Sequence, residues 1–165
     1  NWNLALNVSL TAAFFASQAT IRLMADLGGC QIVNVASVAA LQVTLESPSY
    51  HASKAGLLQL TKYLAVAGGP FQAHVNCVLP GLIVQEEHLP RFHSEGNESY
   101  RSVASHYQPL GEVGTERDVA EAILYLCSDR ARYVSGSCLT VDGGATTQES
   151  FGLLLSQQDK GNPLK

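Results

Sequence analysis

Apolar and polar residues alternate along the chain in segments that fit either a helix or a strand. Near-helical spacing of apolar residues predicts a long first helix over residues 2–25 and a second over residues 50–67. Ser49 is the predicted N-cap of the second helix. A Thr-x-x-Asp pattern at residues 115–118 matches a capping box and predicts a third helix that ends near Ser128.

Short runs of apolar, β-branched residues lie between these helices. They predict buried strands over residues 31–36, 73–79 and 137–141. Because strands and long helices alternate, the pattern favours the α/β class, with about three strands in a doubly wound parallel sheet and helices on both faces. Residues 85–114 are polar and lack firm periodicity, so we predict a mobile segment with short helices there.

The composition narrows the class of protein. The 165 residues are 46% apolar and 15% charged, which is typical of a soluble globular domain. The net charge of -4 does not favour nucleic-acid binding, which usually needs a basic patch. No apolar run comes near the roughly 20 residues that span a bilayer, so we predict no membrane segment. The cysteines, which we interpret as reduced, predict a cytoplasmic location.

The cysteines and one polar stretch are the candidate metal ligands. Four cysteines are scattered without any Cys-x-x-Cys pair: Cys30, Cys77, Cys127 and Cys138. We interpret them as reduced core residues, with a disulfide scaffold or a metal cage as the less favoured alternative. Other metal-ligating side chains occur at a spacing that fits no firm template: Glu86, Glu87, His88 and His93. A solvated loop is the favoured interpretation, and no metal is predicted.

Tyr50 and Lys54 are four residues apart on a predicted helix and therefore share one face. A free phenol titrates near pH 10 and is a poor base at neutral pH. A neighbouring ammonium stabilises the phenolate, so this pair could exchange a proton with an alcohol or carbonyl oxygen. Most pairs with this spacing lie on solvated helix faces, and the spacing alone does not identify a site.

The carboxyl ends of two predicted strands carry further candidates, at the edge where open parallel sheets bind their ligands. Ser37 follows the first strand, and its hydroxyl could hold a reacting oxygen beside Tyr50. Pro80 and Gly81 follow the second strand, where backbone amides, notably that of Ile83, could bind the amide of a cofactor. Taken alone, each of these features is more typical of a simple turn.

These features belong to a series of motifs in a fixed order: NVAS at 34–37, YHASKAG at 50–56, NCVLPG at 76–81, PLG at 109–111, DVA at 118–120 and VDGG at 141–144. Their order and approximate spacing resemble the short-chain dehydrogenase/reductase family over residues 2–145. The resemblance implies a Rossmann-like sheet, NAD or NADP as the cofactor, and hydride transfer between a carbonyl and an alcohol.

The resemblance also implies roles for individual residues. Tyr50 would be the acid/base, Lys54 would assist it and hold the nicotinamide ribose, and Ser37 would orient the substrate oxygen. The cofactor-binding set would be Tyr50, Lys54, Pro80, Gly81 and Ile83. Residues 85–114 would cover a small-molecule carbonyl or alcohol substrate.

The sequence departs from the family pattern in three places. Ser9 stands where the family has a catalytic asparagine, whose main-chain carbonyl helps to hold a relay water, so we expect a weakened relay. Gln85 stands where a threonine often follows the Pro-Gly segment. No Gly-x-x-x-Gly-x-Gly loop occurs. We therefore expect residues 1–145 to be the C-terminal part of a Rossmann-like domain, with residues 146–165 as a tail, and the isolated chain to bind a dinucleotide poorly.

Two other functions are less consistent with the sequence than the oxidoreductase. A serine hydrolase around Ser37 would need a Gly-x-Ser-x-Gly elbow, which is missing, and His51 lies on a different helix face from Tyr50. The stronger alternative is a non-catalytic remnant or an oligomerisation module. In the family the first two long helices pack against partner subunits, so the resemblance implies a homo-oligomer through these helices.

Overall fold

Three parallel strands form the sheet in a computed structural model that describes residues 1–149 and 151–154. In sequence order and in space they are β1 (Cys30–Val35), β2 (Ala73–Pro80) and β3 (Cys138–Val141). The predicted α/β class and the parallel sheet are confirmed, and each predicted strand boundary differs by at most one residue. The division into a domain and a tail stays a prediction, and residues 150 and 155–165 lie outside the described part.

The first helical stretch contains a change of helix type that the sequence did not predict. It consists of α1 (Trp2–Leu6), a π-helical turn (Asn7–Thr11) and α2 (Ala12–Met24). The amide of Ala12 donates to the carbonyl of Asn7, five residues back, where an α-helix would use the fourth. The expected single α-helix is therefore interrupted in its first half.

This stretch is longer than its apolar runs suggested. With a final 3-10 turn it spans Trp2–Leu27, 26 residues with a mean hydropathy of 1.4 in its most apolar window, of which 11% is buried. By length and composition it could cross a bilayer, although polar residues divide it into short apolar runs. The same length and composition also suit a helix that packs on a protein, and here it contacts both β1 and the next long helix.

That next helix, α3, spans Pro48–Gly68 and begins earlier than predicted. Its N-cap is Ser47, whose hydroxyl oxygen accepts from the amide of Tyr50 at 3.2 Å. Ser49, the predicted cap, is a buried residue of the first turn. Pro48 explains the shift, because proline suits the first position of a helix, where its missing N–H costs no hydrogen bond.

Short helices occupy the polar segment, as predicted: α4 (Leu89–Phe92) and α5 (Glu98–Tyr107). The last long helix, α6, spans Glu116–Leu126. At its start the carboxylate of Asp118 accepts from the amide and the hydroxyl of Thr115 at 2.7 and 2.8 Å. These bonds lower the pKa of Asp118 and confirm the predicted capping residues.

The core lies around β2, whose side chains alternate between the two faces of the sheet. One face packs against α2 and α3 through fully or nearly fully buried residues: Ile21, Leu57, Leu64, Ala73, Val75, Cys77 and Leu79. The helix α6 contacts all three strands from the other side. Helices on both faces are therefore confirmed, and β1 has no neighbouring strand on its outer edge among the described residues.

The cysteines fit the predicted core role only in part. Cys77 is buried, and Cys30 and Cys138 are half-buried, while Cys127 is exposed on the surface. All four are free thiols. The prediction was therefore wrong for Cys127, which follows the last residue of α6 as its C-cap and is exposed.

Candidate active site

Lys54 and Tyr50 lie side by side on α3 at the carboxyl end of β1. The ammonium of Lys54 donates to the carbonyl of Val35, the last residue of β1, at 2.9 Å. The same nitrogen is 5.5 Å from the centre of the Tyr50 ring. An ammonium has three N–H donors, so two stay available for other oxygens. The geometry thus brings a cation, a phenol and the end of a strand together.

Burial controls the charge states near this ammonium. It lowers the pKa of Lys54 from its ordinary value, while the neighbouring Cys77 acts in the opposite direction. Burial also raises the pKa of the Cys77 thiol to about 11, and the nearby Cys138 adds to the rise. Cys77 is therefore a neutral thiol at pH 7, and the carbonyl of Val35 is the contact that stabilises the half-buried ammonium.

Ser37 lies two residues beyond Val35 and starts a short 3-10 turn (Val38–Ala40). Its hydroxyl oxygen accepts from the amide of Ala39 at 3.2 Å. Because this bond uses the oxygen as the acceptor, the O–H of Ser37 can still donate to an external oxygen. Half-buried Ser37 lies at the strand end where the sequence predicted it.

Gly81 and Ile83 follow β2 at the same edge of the sheet. The amide of Gly81 donates to the carbonyl of Val141 at 2.9 Å. Ile83 forms a parallel bridge with Gly114 that uses its two neighbours, the carbonyl of residue 82 and the amide of residue 84. The amide of Ile83 therefore points away from Gly114. Pro80, the third candidate here, is the last residue of β2.

Ser9 is half-buried and lies within the π-helical turn. Unlike Ser37 and Gly81, it does not follow a strand in the sequence. This turn packs against α3. The contact is close because Gly56 has no side chain: a methyl group there would be 3.0 Å from a terminal carbon of Leu10. A π turn displaces one carbonyl from the α-helical ladder, and such turns are frequent at functional sites.

Hydrogen bonds hold the polar segment between β2 and α6 at two places, its first residues and the end of α5. The amide of Glu86 donates to both carboxylate oxygens of Glu116, at 2.9 and 3.0 Å. The side-chain amide of Gln42, just beyond Ser37, donates to the hydroxyl of Tyr107 at 2.6 Å. A cavity of about 540 Å³ opens beside Ile83 at the base of this segment.

Two sets of contacts near the site were missed by the sequence analysis. Buried Asn34 donates to the hydroxyl of Thr61 at 2.9 Å and so fixes α3 against β1. His51 contacts the residues just before α3 through both ring nitrogens. The sequence offered one signal for the contacts of His51, the polar residues at 42 and 44 that alternate with apolar ones.

The candidate metal ligands do not converge. Glu87 and His88 are exposed, and a carboxylate oxygen of Glu87 lies 3.7 Å from Nε2 of His88. Within the described residues, no group of three or more His, Cys, Asp or Glu side chains is arranged to hold a metal ion.

Comparison with known proteins identifies the family of the chain. The family model for enoyl-(acyl carrier protein) reductase matches residues 1–146. A 7alpha-hydroxysteroid dehydrogenase of Bacteroides fragilis is 37% identical over 142 residues, which cover 86% of this chain and 53% of that protein. A 4-hydroxyisoleucine dehydrogenase solved with NADH has a TM-score of 0.77 and 33% identity, over 87% of this chain and 58% of that one.

ElxO, solved with NADP bound, has a TM-score of 0.78 and 28% identity, over 89% of this chain and 58% of that one. The chain therefore belongs to the short-chain dehydrogenase/reductase family, whose members are oxidoreductases with a Rossmann-like sheet. It spans about half the length of the curated relatives that it matches.

Proposed function

We propose that this chain supplies the proton-transfer half of an NAD- or NADP-dependent oxidoreductase that interconverts a carbonyl and an alcohol. The observation that carries the proposal is the contact of the Lys54 ammonium with the carbonyl of Val35, next to the Tyr50 ring. This contact fixes a positive charge beside a phenol at the ligand-binding edge of the sheet.

Three side chains divide the work on the substrate oxygen. The hydroxyl of Ser37 donates to that oxygen and orients it. Tyr50 gives it a proton during reduction and removes one during oxidation. Lys54 stabilises the phenolate form by its charge. Ser9 takes the place of the family asparagine, and we propose that its main-chain carbonyl holds a weakened water relay within the π turn.

The residues present fit the nicotinamide end of a dinucleotide. The two N–H groups of Lys54 not used by Val35 suit ribose hydroxyls, and the outward-pointing amide of Ile83 suits a carboxamide oxygen, with Pro80 and Gly81 shaping that wall. When bound, the cofactor would supply or accept the hydride. NADH and NADP in the related structures support this class of cofactor without choosing between the two.

The substrate class is a small molecule with a hydroxyl or carbonyl group, as in the related dehydrogenases. We further propose a cytoplasmic location and a homo-oligomer that forms through the first helical stretch and α3. Both carry large apolar side chains that are exposed to solvent: Trp2, Leu4, Val8, Phe15, Leu23, Leu27, Tyr63 and Val66. Contiguous apolar surface of this kind usually marks an interface.

Replacement of the phenol tests the proposed role of Tyr50. The purified full-length protein is assayed with NAD⁺ and NADP⁺ on a 7α-hydroxysteroid and on 4-hydroxyisoleucine, and turnover is followed by cofactor absorbance. Tyr50→Phe keeps the ring but removes the transferable proton, so kcat should fall by about 100-fold or more. Cofactor affinity, measured by fluorescence titration, should change little.

Tyr63→Phe is the matched control, because Tyr63 lies on the same helix but is exposed outside the site. It should retain the wild-type rate. Full activity of Tyr50→Phe would refute the acid/base role. Absence of cofactor binding by the wild-type protein would instead favour the non-catalytic oligomerisation module.

A further inference from the structure

Between Ser37 and Tyr50, residues 41–46 form a connecting segment in which the polar side chains are more buried than the apolar ones. Gln42 and Thr44 are half-buried. The apolar side chains face solvent, at 56% exposure for Leu41, 93% for Val43 and 108% for Leu45. Apolar burial therefore cannot hold the segment in place, and its polar contacts must do so.

His51 provides the principal contact, one residue after the proposed acid/base. Its Nε2 atom accepts from the amide of Thr44 at 2.9 Å, and the hydroxyl of Thr44 lies 3.2 Å from the same nitrogen. Its Nδ1 atom is 2.9 Å from the carbonyl oxygen of Ser47. One imidazole ring thus connects the middle of the connecting segment to the N-cap of α3.

These partners determine the protonation state of the ring. A backbone N–H can only donate, so Nε2 of His51 must carry a lone pair. A carbonyl oxygen can only accept, so Nδ1 must carry the hydrogen. The contacts with Thr44 and Ser47 are therefore both satisfied by one species, the neutral imidazole protonated at Nδ1.

We propose that neutral His51 is a positioning residue for the reaction, and that a proton on its Nε2 atom releases the connecting segment. This inference rests on the proposed function. Ser47 transmits the effect, because its hydroxyl and carbonyl oxygens both accept from the amide of Tyr50, at 3.2 and 3.0 Å. The contacts of His51 with Thr44 and Ser47 therefore help to set the start of the helix that carries Tyr50.

Among the described residues, no carboxylate forms an ion pair with His51. Glu46 is the acid of the connecting segment, and its backbone amide donates to the hydroxyl of Thr44 at 3.3 Å. On α3 the ring of Tyr50 meets the imidazole edge-on at 6.5 Å between centres, and Lys54 is bound to Val35. On α5 the hydroxyl of Tyr107 contacts Gln42.

Protonated Nε2 would therefore face the amide of Thr44, a second donor, and the bond would be lost. The connecting segment should accordingly be fixed while the ring is neutral and released when the ring carries a second proton.

Amide hydrogen exchange at residue 44 tests the contact without any assay of activity. In the wild-type protein, ¹⁵N NMR of the imidazole should identify the Nδ1–H form, and protection of the residue-44 amide should fall as the ring titrates. His51→Phe keeps a ring without nitrogen, so protection should be about tenfold lower at pH 8. Thr44→Val is the matched control, since it keeps the amide and loses only the hydroxyl, and it should stay protected.

An unchanged exchange rate in His51→Phe, or an Nε2–H ring in the wild type, would overturn the proposal. So would loss of protection in Thr44→Val, because the hydroxyl would then be the essential group.

The positioning role predicts a second, pH-dependent result. At pH 8, kcat of the wild type should exceed that of His51→Phe by about tenfold, with KM for the cofactor similar. This ratio should approach one as the pH falls through the range in which the ring titrates by NMR. A ratio that does not depend on pH would limit His51 to a structural role and overturn the proposal. If residue 44 behaves as expected but neither substrate is turned over, the proposed function fails separately.

Discussion

At the scale of single residues, the close packing of the loop after β2 requires a glycine at position 81. Gly81 bonds to the carbonyl of Val141 and so brings the end of β2 close to residue 142. A methyl group at position 81 would lie 2.6 Å from Cβ and 2.9 Å from Cα of Asp142, well inside van der Waals contact. The Pro-Gly sequence is thus required by the packing of two strand ends, independently of any cofactor.

We therefore expect Gly81→Ala to destabilise the protein by about 1–3 kcal/mol, the usual cost of overpacking a closed site. Chemical denaturation monitored by circular dichroism measures the change. Gly69→Ala is the control, since nothing lies within 4 Å of the added methyl group and its backbone is already α-helical. Equal stability of the two variants would show that the strand ends separate freely.

The sequence identified some residues of the candidate site better than others. Tyr50, Lys54 and Ser37 were found because their chemistry and spacing relate to the predicted helix and strand. The roles proposed for them stay predictions. The sequence showed only that His51 lies on a different helix face from Tyr50. Its contact with Thr44 could not be predicted, because that residue lies in a turn whose geometry no periodic pattern describes.

At the scale of elements, Asp142 organises the turn that ends β3. One carboxylate oxygen accepts from the amide of Gly144 at 2.9 Å, and the other accepts from the amide and hydroxyl of Thr146, each at 2.7 Å. Burial alone would raise the pKa of Asp142, but these bonds to Thr146 and Gly144 outweigh it and hold the pKa below its ordinary value. The ionised form is therefore the one that stabilises the turn.

Since the pKa is lower in the folded than in the unfolded chain, this stabilisation is present above the unfolded value of about 3.9 and is lost as the pH falls through the folded one. Asp142→Asn should lower the free energy of unfolding by about 1–2 kcal/mol at pH 7. The difference from the wild type should shrink below about pH 4, as urea denaturation at several pH values can measure. Glu149→Gln, at an exposed acid with bonds to Gly152 and Phe151, is the control and should change stability less. A difference that does not vary with pH would contradict this account.

Element boundaries were predicted where local chemistry determines them. The strands and the start of α6 were found to within one residue, because β-branched runs and the Thr115–Asp118 pair are local signals. The start of α3 was misplaced, since Ser47 and Ser49 are both good caps. Pro48 favours Ser47 as the cap, because proline suits the first helical position that follows it. The π turn has no such signal, because α and π turns differ only in which carbonyl the amide of Ala12 selects.

At the scale of the whole molecule, the described residues leave two kinds of surface without a partner. The outer edge of β1 is unpaired, and Val35 at its end is 44% exposed. The first helical stretch and α3 expose several large apolar side chains, and a groove lies between them beside Phe15 and Tyr63. The sequence could predict helices of this hydropathy but not which of their faces the sheet would cover, because that depends on the register of packing.

The apolar helical face leads to the last prediction, which concerns assembly. If two copies associate through this face, Phe15→Glu places a charge that must be desolvated in the interface, at a cost that disfavours association. Light scattering after size exclusion should find the wild type as a dimer or larger species at micromolar concentration, and Phe15→Glu as a monomer. Tyr133→Glu provides the control, because Tyr133 is 95% exposed and belongs to the turn before β3, not to the first helical stretch or to α3. It should assemble like the wild type. A monomeric wild-type protein, or equal assembly of Phe15→Glu, would mean that this face serves another purpose than self-association.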